Sequence, residues 1–510
     1  MSVGYLTDTP YTWGFYGELS PVFLNYVCAL NGHHPISLDD GFTYCDLGCG
    51  NGVTSNALAQ IFPQGQFTAV DFSAQHIENG AGIAQEAGLD NVKFIDRDFN
   101  DLGKRDLPDF DFIILHGVYS WIDPETRNNV REFIAEKLKP GGIAYVSYDC
   151  MPGWGFVSPM RDLMLSYTAG MTEDSATKAR AALDFLHFMK DNKAAFFQDN
   201  PLASTLLDEL ESQNINYVVH EFFTDFSKPY YFHQVAAEMR SAGLSFSGSA
   251  ILNLNFVDLA APAEFHAMLR KSPTRNYLES QGDFVRNQRF RKDVFINSRK
   301  ELNEEGQFDA LSQMNFGLIC DADGFNKTLG LGDVELKFTA DIFLNLIEHL
   351  AAGAKSVEDL QDLDQFKIYG PELLVDAIKF LSTGGQLLPF AHKTSPADQD
   401  GLSANRYALS VPFNLQMLKR RLFEQPAVTL ASTKGGIAYE VAMADALYAL
   451  CSVEAPRDEV AGWVFQRLIE ARKQIVFEEG SEIDAIAVAV EKFRVSRLPK
   501  FLELGILEPA

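Results

Sequence analysis

Positive charge is scarce in this chain of 510 residues: 43 Lys and Arg stand against 69 Asp and Glu, a net charge of −26. Nucleic acid is bound largely through cations on phosphate, so DNA and RNA are disfavoured as partners and basic ones are favoured. Cysteine is sparse too. The six, Cys28, Cys45, Cys49, Cys150, Cys320 and Cys451, form no CxxC pair and no metal-ligand spacing, and Cys45 and Cys49 have no histidine companion. Reduced thiols and no metal site are expected. No apolar run is long enough to cross a bilayer, and the opening MSVGYLTDTP has neither the basic flank nor the apolar stretch of a signal peptide. The expected compartment is the cytoplasm, without stable membrane insertion.

The shortage of cations is most severe at the start. No Lys or Arg precedes Lys93, whereas Asp8, Glu18, Asp39, Asp40, Asp46, Asp71, Glu78, Glu86 and Asp90 all do. Within this acidic segment YCDLGCGNG runs a strand into Gly48, Gly50 and Gly52, and VTSNALAQIF continues as a helix. Glycines at a strand-to-helix turn let backbone N–H groups approach a ligand, because no Cβ intervenes and φ > 0 is accessible. A second apolar strand, Phe67 to Val70, ends in Asp71, and a third, Val92 to Ile95, leads to Asp98. In a doubly wound α/β sheet these acids fall at the carboxyl ends of neighbouring strands, where ligands bind. A pyrophosphate would require positive charge there, so a dinucleotide is disfavoured. A cationic or neutral cofactor rich in hydroxyls and amines fits carboxylates better, and S-adenosyl-L-methionine has a sulfonium, an ammonium, a ribose diol and an adenine amine.

The segments DLGCGNG, VDFS, DRDF, FDFIILHGVYSWI and LKPGGIAYVSY, in this order between Phe42 and Tyr148, resemble the motif series of class I methyltransferases. The resemblance implies a doubly wound, seven-stranded Rossmann-like sheet and assigns roles to matching positions. Gly48, Cys49, Gly50 and Gly52 would line the methionine end of the cofactor, and Asp46 would orient that turn and meet the amino group. Asp71 would take the ribose hydroxyls, Phe72 and Phe99 would stack near adenine, and Asp98 would accept from its amine. His116 and Gly117 would sit beside the methionine moiety and the transferable methyl. Alternatives stand beside these roles: core packing for each Phe, a satisfied core imidazole for His116, and a helix N-cap for Asp71.

Beyond Tyr148 the loop DCMPGWG leads into stretches of helical period, a helical insertion over about 155–228. FHQVAAEMRSAGL and LSFSGSAIL read as the last crossover helix and sixth strand. A second helical insertion, Pro262 to Asn287, precedes VFINS as the seventh, antiparallel strand, so the methyltransferase domain spans 1–300. The remainder reads as a helix-rich regulatory or docking unit, 301–395, and a winged-helix-like unit, 396–510, with FLSTGGQLLP echoed by FLELGILEP. Basic groups such as Lys419, Arg420 and Arg421 read as a solvated helix face. The arrangement is similar to bacterial methyltransferases with a regulatory domain, including the rickettsial outer-membrane-protein lysine methyltransferases. HGVYSWI, VSYDCMPGWG, VHEFF and DFVRNQRFRKDVFINSR carry that similarity.

Methyl transfer requires a lone pair held about 3 Å from the methyl and the exclusion of water. A lysine acceptor, with a normal pKa of about 10.4, must first lose a proton, which desolvation and a proton outlet assist. Tyr119 is the expected orienting group, with Asp149 or His116 receiving the proton and Trp121, Tyr148 and Trp154 nearby; loop packing is their alternative role. Tyr11, Trp13 and Tyr16 would close over the cofactor from the N-terminal side, with a helical core role as their alternative. The asparagine or aspartate followed by two prolines and an aromatic, found in amino-group DNA methyltransferases, is replaced by HGVYSW. The expected function is therefore methyl transfer to lysine of a basic or lysine-bearing protein, by a chain that could form a homodimer. A small-molecule N- or O-methyltransferase and a non-enzymatic scaffold are the alternatives.

Overall fold

The computed structural model describes residues 13–104, 107–298, 301–332, 334–473 and 482–510. Seven strands, β1 (Phe42–Leu47), β2 (Gly65–Asp71), β3 (Val92–Asp96), β4 (Phe110–Leu115), β5 (Leu138–Asp149), β6 (Leu244–Ser249) and β7 (Phe290–Asn297), form one sheet in the order β3-β2-β1-β4-β5-β7-β6. The first five are parallel, and β7 runs antiparallel between β5 and β6. Strand order reverses between β1 and β4, so the crevice of this doubly wound sheet opens at the carboxyl end of β1. Central strands such as β1, with Tyr44, Cys45 and Leu47 fully buried, are apolar on both faces because helices cover both sides.

The helices α1 (Pro21–Leu30), α2 (Val53–Ile61), α3 (Ala74–Ala87) and α4 (Pro124–Lys137) belong to this layer architecture. Local signals set the ends of two of them: Ser73 caps α3 and Gly88, at φ +69°, stops it, while Asp123 caps α4 with Pro124 in its first turn. The insertion consists of α5 (Val157–Thr168), α6 (Ser175–Asp191), α7 (Ala195–Asp199), α8 (Pro201–Glu211) and α9 (Ile215–Phe222), packed around a hydrophobic cluster of its own. The crossover helix α10 (Phe232–Ser241) returns the chain to β6. A second insertion, α11 (Val257–Ala260), α12 (Ala263–Arg270) and α13 (Arg275–Arg286), precedes β7.

From Glu304 onward the described residues are mainly helical, with four two-stranded sheets among them. The echoed segments adopt one conformation, a helix, a glycine turn and a short strand: Pro371–Ser382 before Leu387–Phe390, and Leu498–Glu503 before Leu507–Pro509. These units share a continuous core with α1, α2 and one face of the sheet. Arg420 pairs with Glu86 of α3 at 2.8 Å, and Arg421 lies over the Trp13 ring at 4.7 Å. Two members of the expected solvated face are therefore occupied in packing against the rest of the chain. Among the described residues no helix is long and apolar enough to cross a membrane.

Candidate active site

The turn after β1 is built from left-handed backbone. Gly48, Gly50 and Gly52 have φ of +85°, +53° and +71°, which L side chains rarely adopt. Space forbids side chains as well: a Cβ on Gly48 would lie 2.4 Å from Val118 Cγ2, and one on Gly52 2.5 Å from Phe94 Cε1. The turn is fastened to β2, since Gly48 N and Cys49 N donate to Val70 O and Gly50 N donates to Asp71 Oδ2 at 3.0 Å.

Two of the acids expected at strand ends, Asp46 and Asp71, lie at this turn. Asp46 is buried and accepts from Ser55 Oγ at 2.5 Å; burial pushes its carboxyl up to about 6 against the opposing effect of that hydrogen bond. Asp71 also accepts from Ser73 N at 2.9 Å and lies 3.2 Å from His76 Nδ1. The N-cap of α3 is Ser73 rather than Asp71. Asp98, at the outer edge, accepts from Asn100 N. Phe99 is buried close to Gly48, and Phe72 is half-buried. Burial pushes the Cys49 thiol well above its usual range, so it offers a neutral surface.

Two hollows meet at Tyr16 and His116. The smaller is lined by Asp46, Gly48, Cys49, Gly50 and Thr54; the larger, about 470 Å³, extends past Gly117, Trp121, Asp149 and Trp154 to the insertion. The Tyr16 ring sits 4.0 Å from the His116 ring, and its N–H donates to Thr54 Oγ1. Tyr16 therefore lines both hollows, while Trp13 packs on Arg421 and Tyr11 lies outside the described residues. Gly117, with φ +63°, donates to Ser147 Oγ and has nothing within 4 Å of a built Cβ, leaving the passage open.

Two of the expected catalytic roles are corrected. Tyr119 is fully buried on the far side of the strand end, where its hydroxyl donates to Glu238 Oε2 beneath the Arg127 guanidinium, so it does not face either hollow. His116 lies 3.0 Å from Tyr145 Oη, and burial pushes its imidazole down to about 4, against the opposing charge of Glu18. It is neutral at physiological pH and a poor recipient for an ammonium proton. Tyr148 is buried against Asp293.

Trp121 and Asp149 do line the larger cavity. Asp149 is 3% exposed, and its Oδ2 has no hydrogen-bond partner among the described residues. Glu221 joins it from α9. Burial pushes both carboxyls up, Asp149 further because Glu221 is beside it. The sequence did contain a signal for Glu221: Tyr217 and Glu221 are four apart, on a helix that buries Val218, Val219 and Phe222.

The buried carboxylates, the cation-free turn and its three glycine positions without Cβ fit S-adenosylmethionine, with Asp46 toward its amino group and Asp71 toward its ribose as the proposed holders. Comparison with known proteins bears on the same region. A methyltransferase domain matches residues 38–200, and a predicted methyltransferase regulatory domain matches 214–297, from α9 through β7 and ahead of the 301–395 unit. An uncharacterized protein of Synechocystis sp. is 33% identical over 514 residues, covering 99% of each chain. An uncharacterized protein of Rickettsia prowazekii is 26% identical over 314 residues, 60% of this chain and 55% of that one. The fold is shared with PKMT2 from Rickettsia typhi, solved in complex with AdoHcy, at a TM-score of 0.75 and 20% identity, over 98% of this chain and 100% of that one. With a full-length relative at this identity and both domain matches in order, the chain belongs to the S-adenosylmethionine-dependent methyltransferases that join a methyltransferase domain to a methyltransferase regulatory domain.

Proposed function

We propose that the protein methylates lysine side chains of a protein substrate. The cavity beyond Gly117 carries this reading: Tyr16, Trp121, Trp154, Tyr217 and Phe222 wall it, and Asp149, Glu209 and Glu221 outnumber its cation, Arg289. Aromatic walls suit the methylene stem of lysine and an alkylammonium product, and an excess of carboxylate suits the charge. Glu209, Tyr217 and Arg289 are exposed at its rim, so a side chain can enter from a body too large for the cavity.

S-adenosylmethionine, when bound, would supply a methyl carbon on a sulfonium, the electron pair of the C–S bond going to sulfur as the new C–N bond forms. The chain must deliver an uncharged amine and keep water away. Tyr16 and Trp154 cover the approach, His116 stays neutral and does not repel an ammonium, and Asp149 is the carboxylate available for the proton. Transfer of tritiated methyl to proteins of a bacterial lysate, followed by mass spectrometry of labelled peptides, tests the reading. Label on lysine is expected; label confined to free metabolites or to oxygen would overturn it.

A further inference from the structure

The larger cavity holds two carboxylates from distant parts of the chain. Asp149 ends β5, and Glu221 comes from the last helix of the insertion, both lining the same space. Leaving a buried carboxylate oxygen without a partner, as at Asp149 Oδ2, costs stability unless a ligand completes it. The backbone N–H of Asp149 is occupied by Ser120 Oγ at 2.9 Å, so the strand end is fixed while its carboxylate remains available. The remaining ionisable groups of the lining are Tyr16, His116, Glu209, Tyr217, His220 and Arg289, with Arg289 exposed.

We propose that Asp149 and Glu221 act as one amine clamp: together they receive the acceptor as an ammonium ion, one takes its proton, and the other faces the nitrogen as positive charge returns to it. This rests on the lysine reading above, and it makes the insertion part of the active site. Two carboxylates crowded in one desolvated space retain a proton between them near neutral pH, consistent with the upward displacement of both groups. An entering ammonium releases that proton to solvent. One N–H bond then breaks, leaving its electron pair on nitrogen, and an O–H bond forms on one carboxylate. The uncharged amine takes the methyl, becoming a methylammonium opposite the second carboxylate, and the acid formed returns its proton to solvent through the open rim.

The pair can be tested without knowing the natural substrate. Nα-acetyl-lysine methylamide and its norleucine isostere are titrated calorimetrically into the protein saturated with S-adenosylhomocysteine, at pH 7 in two buffers of different ionisation enthalpy. The lysine probe should bind at least about tenfold tighter and release protons. Glu221→Gln and Asp149→Asn, each checked by retained S-adenosylhomocysteine binding, should reduce the preference by about tenfold and abolish the proton release. Equal binding of the two probes to wild type would overturn the proposal, as would an unaltered preference and proton release in either variant. If the preference and its loss hold while the lysate assay places methyl on another kind of amine, the clamp stands and the protein-lysine reading falls.

Discussion

Replacing Asp71 by Asn should weaken cofactor binding by an amount that its existing hydrogen bonds define. A carboxylate offers about four acceptor positions. Three donors already converge on Asp71: Gly50 N on Oδ2 at 3.0 Å, and Ser73 N on Oδ1 at 2.9 Å with His76 Nδ1 at 3.2 Å. About one position therefore remains for a ribose hydroxyl. A charge-assisted hydrogen bond contributes about 1.5–3 kcal/mol, so Asp71→Asn should raise the dissociation constant about 10- to 150-fold. Asn also turns an NH₂ toward Gly50 N or Ser73 N, a donor against a donor, which should lower thermal stability by about 1 kcal/mol. His76→Ala separates the two contributions, because it frees an acceptor position and leaves the turn's backbone bonds in place; affinity should be equal or tighter. Calorimetry with S-adenosylhomocysteine, with thermal unfolding as the check on folding, decides the matter. A dissociation constant unchanged in folded Asp71→Asn would refute the ribose contact, and equal weakening by His76→Ala would reassign Asp71 to shaping the turn.

Arg291 is fully buried and holds Glu279, Asp283 and Asp293 at 2.9, 2.5 and 2.9 Å. Arg291→Met removes the arginine that all three share, leaving Glu279 to Arg275, Asp283 to Arg286 and Asp293 to the Tyr148 hydroxyl, and should cost about 3 kcal/mol in denaturant unfolding; a loss below about 1 kcal/mol would show that those remaining partners suffice. Tyr119→Phe removes the donor to Glu238 and should reduce stability by about 1 kcal/mol, with methyl-transfer turnover per folded molecule unchanged; a slowed turnover would return Tyr119 to the chemistry. Glu221, raised by burial to about 7 from an ordinary 4.5, keeps a proton that the unfolded chain has released between those values. Wild-type stability should thus fall across that window as pH rises, and Glu221→Gln should flatten the fall; parallel stability curves for the two proteins would contradict the upward displacement.

Residues that interact with the backbone nearby were legible in the sequence. The glycines of the turn, Asp46 and Asp71 are fixed by φ, by strand ends and by the pleat of a sheet whose pattern spans few residues, so their gathering followed from spacing alone. The acceptor side depends on distant pairing. Whether Tyr119 faces the cavity is decided by Glu238 and Arg127, more than a hundred residues away in the case of Glu238, and no local period carries that information. Glu221 shows the same limit from the other side. Its helical face was readable, but the cavity it lines exists only once the insertion folds back on β5.

Asp149 shows how the fold fixes a carboxylate in position while its Oδ2 stays without a partner among the described residues. Every anchor acts on the backbone or on a neighbour. Asp149 N donates to Ser120 Oγ, its carbonyl accepts from Tyr230 N at 2.9 Å, and Cys150 N is bound to Arg289 O. One residue earlier, Tyr148 Oη donates to Asp293 Oδ2 at 2.6 Å, and Asp293 is held by Arg291 on the paired strand β7. The charge network of the second insertion thus fixes the end of β5 from behind, with its own carboxylates satisfied by arginine. No arginine of that network is within the lining of the cavity, which would neutralise Asp149 and displace an entering ammonium. On this reasoning the insertion before β7 stabilises the strand end, the insertion after β5 supplies Glu221, and the acceptor site depends on both.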